Sequence, residues 1–333
     1  MNYIGSKFTL SSWIKEIIKQ VSGENLHDKI FCDIFAGTGI IARVFKSEVK
    51  KIISNDLEYY SYVLNQNYIG NSDALKDEKK YLQDLNALTP QKGFISKYYS
   101  VNGEKNRAYF SLQNATKIDA MRMQIKKWMD SKIIDKKMFY FLLSSLLESA
   151  DKVENTASVY GAFLKKMKKT ALEEIIIEPA YFEKTTGKHE VYNEDANKLI
   201  KKIYGDILYL DPPYNRRQYG ANYHLLNTIC LYDEFIPYGK TGIREYNHSN
   251  YCKSTQVLSC FEELIKDANF QYIFLSYNHE GLMNQKQIAK IMQKYGHYFV
   301  EKKEYPRFIA DKLEKRANKM NATFEYLHVL EKR

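Results

Sequence analysis

The sequence predicts an α/β fold: a parallel sheet with crossover helices, interrupted by a mostly helical insertion. Three observations predict it. A strand–turn–helix–strand run fills residues 29–56. Residues 58–180 then read as mostly helical, and strand-like apolar runs resume from residue 175 onward. Finally, 333 residues at 44% hydrophobic suffice for one large domain, or for one domain carrying a sizeable insertion.

The elements follow in order. Leu10, Trp13, Ile14, Ile17 and Ile18 recur at helical spacing and predict a helix over residues 8–21. Lys29–Phe35 is a short apolar strand, Ala36-Gly37-Thr38-Gly39 turns it, and Ile40–Phe45 begins a helix. Lys50–Asp56 predicts a second strand ending in an acid. Parallel neighbours need a crossover, and the helix supplies one. The stretch 58–180 is rich in Lys and Tyr, with an apolar helical run at Phe139–Leu147 and a basic run at Lys165-Lys166-Met167-Lys168-Lys169. Strand signals return at Ile175–Ile177, Ile207–Leu210, Tyr272–Ser276 and Phe324–Leu330. Residues 1–57 and 181–333 are thus expected to form the sheet domain, and 58–180 the insertion.

Composition narrows the partners. A formal net charge of +10 favours a polyanion, because summed positive charge raises association with phosphate backbones. No long uncharged apolar run has membrane-span length, and the first residues lack the plan of a secretory signal. Cys32, Cys230, Cys252 and Cys260 lack metal-type spacing and read as reduced thiols of a cytoplasmic protein. The seven histidines show no ligand spacing, so no metal and no membrane are expected.

Three stretches carry chemistry. In Asp33-Ile34-Phe35-Ala36-Gly37-Thr38-Gly39, glycines at the strand's carboxyl end let a ligand approach the backbone. Asp33 would repel a pyrophosphate. It suits a cation, such as the ammonium and sulfonium of S-adenosylmethionine. Asp56 ends the next strand, where an acid accepts hydrogen bonds from ribose hydroxyls. Asp211-Pro212-Pro213-Tyr214 follows a strand that is expected to be central. Prolines remove N–H donors and leave carbonyls free to accept. A carboxylate beside a rigid carbonyl suits a primary amine, and Tyr214 offers a flat face for an aromatic ring.

Together Asp211–Tyr214 and Asp33–Gly39 resemble the adenine-specific DNA methyltransferases. Asn2-Tyr3-Ile4-Gly5-Ser6-Lys7 is similar to the amino-terminal motif of the Dam-like D12 class. Arg216-Arg217-Gln218-Tyr219, Asn222-Tyr223-His224 and Glu154–Phe163 resemble its FokI-type restriction–modification branch. The resemblance implies a Rossmann-like S-adenosylmethionine-dependent methyltransferase fold, with a mixed, mostly parallel sheet and a helical target-recognition insertion. It implies that Tyr3, Lys7, Asp33, Phe35, Gly37, Gly39, Asp56, Asp195 and Asp211 line the cofactor site, with Asp195 meeting the cofactor's adenine amine. Asp211, Pro212, Pro213 and Tyr214 become the catalytic motif, and Tyr272–Asn278 a wall of the base pocket. Double-stranded DNA is the implied partner; whether a cognate restriction endonuclease accompanies this chain is left open by the sequence. Asn155, Tyr160, Lys165, Lys166, Lys168, Lys169, Arg216, Arg217, Tyr219, Asn222 and Tyr223 are the expected DNA contacts. Gln218 belongs with them, to phosphate or base.

Other readings differ in substrate. An RNA methyltransferase uses the same tetrapeptide type, yet the large insertion and the amino-terminal motif favour DNA. Methylation of the cytosine amine usually places Ser where Asp211 stands. A non-catalytic DNA-binding subunit would not need intact cofactor motifs.

Overall fold

The computed structural model describes residues 7–157, 159–306 and 322–333. Tyr3 and the rest of the stretch 2–6 lie outside the described residues. Two compact units share the described residues: 7–57, 187–218, 248–306 and 322–333 form one, and 58–157, 159–186 and 219–247 belong to the other.

The first unit is built on a seven-stranded sheet. Its strands are β1 (Ile30–Asp33), β2 (Lys51–Asn55), β3 (Glu190–Tyr192), β4 (Tyr204–Leu210), β5 (Asn269–Asn278), β6 (Gly296–Pro306) and β7 (Ala322–Lys332). Their order is β3-β2-β1-β4-β5-β7-β6. Strands β1 to β5 pair in parallel, and β7 runs antiparallel to β5 and β6. The sheet is mixed and mostly parallel, in a Rossmann-like, doubly wound order. Side chains alternate between its faces. Phe31 stacks on Phe45 of the helix Ile40–Phe45, with ring centroids 4.4 Å apart. Cys32, Leu208, Leu210, Ile273 and Leu275 pack with the helices Val257–Asp267 and Gln285–Met292. Strands covered on both faces read as continuous apolar runs, which is why Ile207–Leu210 was legible. Each such side chain, fully buried, contributes about 1.5–3 kcal/mol.

Two strands fall outside the expected set. Both β3 and β6 are edge strands, and the side chains of β3 are only half-buried. An edge buries little, so its sequence shows little apolar period.

The second unit is helical. Its helices include Tyr59–Asn65, Glu78–Asn86, Phe94–Tyr98, Leu112–Asp130, Lys136–Lys152 and His224–Leu231. Ser111 and Asp135 cap the two long helices, each accepting a backbone N–H three residues on. Ile118, Met121, Phe141, Leu146, Leu147 and Leu226 lie in its core. Two buried charges tie residues 219–247 to the rest. Arg122 donates to the carbonyls of Ile229 (2.8 Å) and Cys230 (2.7 Å). Asp119 accepts the Tyr232 hydroxyl at 2.6 Å and the amides of Ile95 and Ser96.

Ile175–Ile177 is not a strand, which corrects the sequence expectation. Ile175 and Ile177 are buried and Ile176 is exposed, so the period-2 pattern is real. Side-chain amides replace a strand neighbour. Asn114 accepts the Ile175 N–H at 3.0 Å, and Asn86 takes both the N–H and the carbonyl of Ile177.

Candidate active site

The sheet order reverses between β1 and β4, and in open α/β sheets the crevice beyond such a point binds ligands. Asp33 ends β1 and Asp211 follows β4, with Asp33 in register with Tyr209. The apolar β4 carries the chain to the crevice, and Pro212-Pro213 end it because neither can donate to a neighbouring strand. Both carboxylates therefore sit at one mouth for topological reasons.

Asp211 is held by Lys7, whose Nζ lies 3.2 Å from its Oδ1. The same ammonium lies 2.9 Å from Glu325 Oε1. Glu325 is fully buried on β7 and accepts the Ser276 hydroxyl from β5. Removing one partner of a buried ion pair costs about 3–5 kcal/mol, because the other charge is left uncompensated. Burial pushes the Asp211 carboxyl up to about 6; Lys7 pulls it down and Glu325 pushes it further up. Burial opposes the charge on Lys7, but Asp211 and Glu325 outweigh it and hold the ammonium well above its ordinary value.

Tyr214 stands over the same charges. Lys7 Nζ lies 5.9 Å from its ring centroid, and the ring meets Tyr277 edge-on at 6.5 Å. The Tyr214 carbonyl accepts the Leu282 N–H at 3.0 Å, which pins the loop after the prolines. Gly281 lies against Tyr277 so closely that a Cβ there would come within 2.1 Å of the ring.

Gly37 and Gly39 both take left-handed backbone angles, φ +52° and +75°. A Cβ disfavours that region, so the turn requires glycine. The turn aims the Gly37 N–H at Asp56 Oδ2, 2.8 Å away. Asp33 is buried, and its Oδ1 has no hydrogen-bond partner among the described residues. Burial, then Asp211 and Asp56 nearby, push its carboxyl well above the usual range, against the pull of the Ala42 and Phe35 amides. Asp211 and Glu325 thus flank the Lys7 ammonium, and Asp33 lies within electrostatic reach of Asp211 and Asp56. An unpartnered buried carboxylate oxygen in an acidic pocket fits a ligand carrying an ammonium group.

Asp195 caps the short helix Ala196–Leu199, accepting the Lys198 N–H at 3.1 Å. Phe35 packs edge-on against Tyr251, with centroids 5.0 Å apart, and the Asp195 charge raises the Tyr251 hydroxyl's pKa after burial and Cys260. The structure therefore brings together Lys7, Asp33, Phe35, Gly37, Gly39, Asp56, Asp195 and Asp211–Tyr214 in the sheet unit. Glu325 and Tyr251 escaped the sequence reading, whereas Ser276 and Tyr277 fall within the stretch Tyr272–Asn278 expected to wall the base pocket. The signal for Glu325 was an acid inside the apolar run Phe324–Leu330.

The expected DNA contacts divide by exposure. Lys165, Lys166, Lys169, Arg216 and Arg217 are exposed. Lys168 is committed to the buried Glu154. Tyr219 is half-buried and stacks on Tyr223, and the half-buried Asn222 accepts the Tyr160 N–H through its carbonyl at 2.7 Å. Asn155, Tyr160 and Tyr223, also expected as DNA contacts, are buried in this structure. Tyr160 donates to Asp151 at 2.9 Å. Gln218 pairs twice with the Ser249 backbone, at 2.8 and 3.2 Å.

Asn155 organises the basic loop. Its side-chain amide donates to the carbonyls of Ala108 (2.8 Å) and Leu164 (3.0 Å) and accepts the Lys168 N–H at 3.0 Å. Asn155→Ala is expected to destabilise the helical unit by about 2–4 kcal/mol, given three lost bonds and buried groups left unpaired. Urea unfolding measures this, and hydrogen exchange should show lost protection at the Lys168 amide. Unchanged exchange there would contradict the assignment.

Among the described residues, no group of three or more His, Cys, Asp or Glu side chains could hold a metal ion. No described helix is long and apolar enough to cross a membrane. All four cysteines are free thiols.

Comparison with known proteins agrees with this geometry. The family model described as D12 class N6 adenine-specific DNA methyltransferase matches residues 3–291. The chain is 58% identical over 332 residues to the type II methyltransferase M.NlaIII of Neisseria lactamica, covering 100% of this chain and 99% of that protein. It is 40% identical over 314 residues to the type II methyltransferase M.CviAII of Paramecium bursaria Chlorella virus 1, covering 93% of each. It is 38% identical over 308 residues to the type II methyltransferase M.FokI of Planomicrobium okeanokoites, covering 89% of this chain and 47% of that longer protein.

Proposed function

Because the chain belongs to the D12 class N6 adenine-specific DNA methyltransferases, we propose that it methylates the N6 amine of an adenine flipped out of duplex DNA, at one short sequence, with S-adenosylmethionine as donor. The observation that carries this reading is the Asp211 carboxylate, seated at the β1/β4 crevice by a buried lysine and followed by two prolines and a half-buried tyrosine.

Bound S-adenosylmethionine supplies an electrophilic methyl group on a sulfonium. Asp33 would hold its ammonium through the unpartnered Oδ1. Asp56 would take the ribose hydroxyls, and Phe35 with Asp195 would frame the adenine. Tyr3 and Lys7 complete the expected cofactor set, although Lys7 in this structure serves Asp211. On the substrate side, Asp211 and the Pro212 carbonyl would accept the two N–H groups of the target amine. That hold draws the nitrogen toward tetrahedral geometry and frees its lone pair. Tyr214 would stack on the flipped base. Flipping costs a few kcal/mol. Holding two reactants in attack geometry supplies roughly 7–11 kcal/mol. Asp211 accepts best as a carboxylate, so with its carboxyl at about 6 it is mostly ionised above neutrality.

The helical unit is assigned to target recognition, with Lys165, Lys166 and Lys169 as its exposed cations for phosphates or base edges, and the exposed Arg216 and Arg217 of the sheet unit are assigned the same role. A cognate restriction endonuclease and a cytoplasmic setting follow from the restriction–modification reading. The direct test is methyl transfer from labelled S-adenosylmethionine to duplex oligonucleotides, with N6-methyladenine identified after digestion. Label in RNA or on cytosine amines instead would reassign the substrate. Replacing Lys165, Lys166 and Lys169 by Gln should weaken DNA binding and flatten its salt dependence. Each lysine that contacts a phosphate contributes about 0.9 to the slope of log affinity against log salt. An unchanged slope would remove these lysines from the interface.

A further inference from the structure

We infer that Glu325, held by Ser276, is a positioning residue for methyl transfer: it fixes the Lys7 ammonium between two carboxylates and thereby orients Asp211. The inference rests on the assignment of Asp211 as acceptor of the target amine.

Glu325 belongs to β7 and Ser276 to β5, neighbouring antiparallel strands in which Glu325 pairs with Asn278. Both side chains are buried, and the Ser276 hydroxyl donates to the same Oε1 that lies 2.9 Å from Lys7 Nζ. The ammonium in turn lies 3.2 Å from Asp211 Oδ1. One line of contacts therefore runs from the antiparallel strand β7, through a lysine just before the first helix, to the catalytic loop.

The chemistry explains why a second carboxylate is buried there. A lysine paired with Asp211 alone would draw on its lone pairs and weaken it as an acceptor. Sharing the ammonium divides that pull. It also holds Lys7 from the far side, so its long stem cannot swing over Asp211. Among the described residues, the charged and titratable groups facing Asp211 are Lys7, Glu325, Asp33 at the end of β1, Tyr209 on β4 and Tyr214 in the loop. Glu325 raises the Asp211 carboxyl and Lys7 lowers it. Their removal should therefore move the acid limb of activity in opposite directions.

The experiment is the pH dependence of single-turnover methylation by full-length protein, with duplex DNA and S-adenosylmethionine. Glu325→Gln keeps the shape and the Ser276 contact and removes the charge. Its acid limb should move to lower pH. Its plateau rate should fall by about 100-fold, the cost of a small misplacement in attack geometry. The cofactor KM should stay near the wild-type value. Lys7→Met should move the limb to higher pH. An unmoved limb with a wild-type plateau in Glu325→Gln, or a loss carried entirely by cofactor KM, would overturn the inference while leaving the methyltransferase reading intact. If Glu325→Gln does not fold, Ser276→Ala decides, since it leaves every charge in place. A lower rate at unchanged cofactor KM supports the positioning role, and a wild-type rate overturns it. Wild-type protein that methylates no adenine would overturn the parent reading and this inference with it.

Discussion

Asp211→Ala is expected to lower methyl transfer by about 100- to 1000-fold, the loss seen when one preorganised polar partner is removed from a reacting group. The variant should still fold. Lys7 keeps Glu325 as a partner, so no buried ammonium is stranded. The sign of the stability change follows from linkage. The Asp211 carboxyl titrates at about 6 in the fold, above the roughly 3.9 of an unfolded aspartate. Between those values the folded chain binds more protons than the unfolded chain. Its contribution to stability therefore declines as pH rises from about 4 to 6 and stays lower above that, by about 3 kcal/mol. The difference in melting temperature between wild type and variant should therefore shift in the variant's favour as pH rises from about 4 to 6. Such a site holds a carboxylate at some cost to the fold because the reaction uses it. Asp211→Asn should also be slowed, since it keeps one acceptor oxygen but replaces the charged carboxylate with a neutral, weaker acceptor that carries N–H donors. Near-normal turnover in either variant would remove Asp211 from the chemistry.

Asp33→Ala should weaken S-adenosylmethionine binding by about 100-fold, corresponding to some 2.7 kcal/mol for a lost buried charge-assisted contact. S-adenosylhomocysteine should suffer similarly, because it keeps the ammonium although it lacks the methyl and the sulfonium charge. Calorimetry on wild type adds a second check. With no bound cation, burial and the neighbouring acids hold the Asp33 carboxyl well above its usual range. A carboxylate is the form that pairs with an ammonium. Affinity should therefore tighten with rising pH until Asp33 is ionised in the free protein. Equal affinity in Asp33→Ala and wild type would place the ammonium elsewhere.

Much of the fold was legible because buried parallel strands write themselves as apolar runs. Ile207–Leu210 and Tyr272–Ser276 fall within β4 and β5. The edge strands β3 and β6 were illegible for the converse reason. Ile175–Ile177 misled because side-chain amides from Asn86 and Asn114 reproduce what a strand neighbour does, and periodicity cannot distinguish the two. At the site, motifs close together in sequence were readable: Asp33 to Gly39, and Asp211 to Tyr214. Glu325 was not, since its meaning comes from Lys7, more than 300 positions away in the chain. Asn155, Tyr160 and Tyr223 were read as surface residues because polar and aromatic side chains serve equally well inside a loop and on it. Burial alone separates those roles.

The most direct test of the central claim is single-molecule methylation mapping of DNA from a methylation-free host expressing this chain, beside the Asp211→Ala variant. The account predicts N6-methyladenine at one short recurring sequence with wild type and none with the variant. DNA without methylated adenine, from cells holding folded protein that binds S-adenosylmethionine, would contradict it.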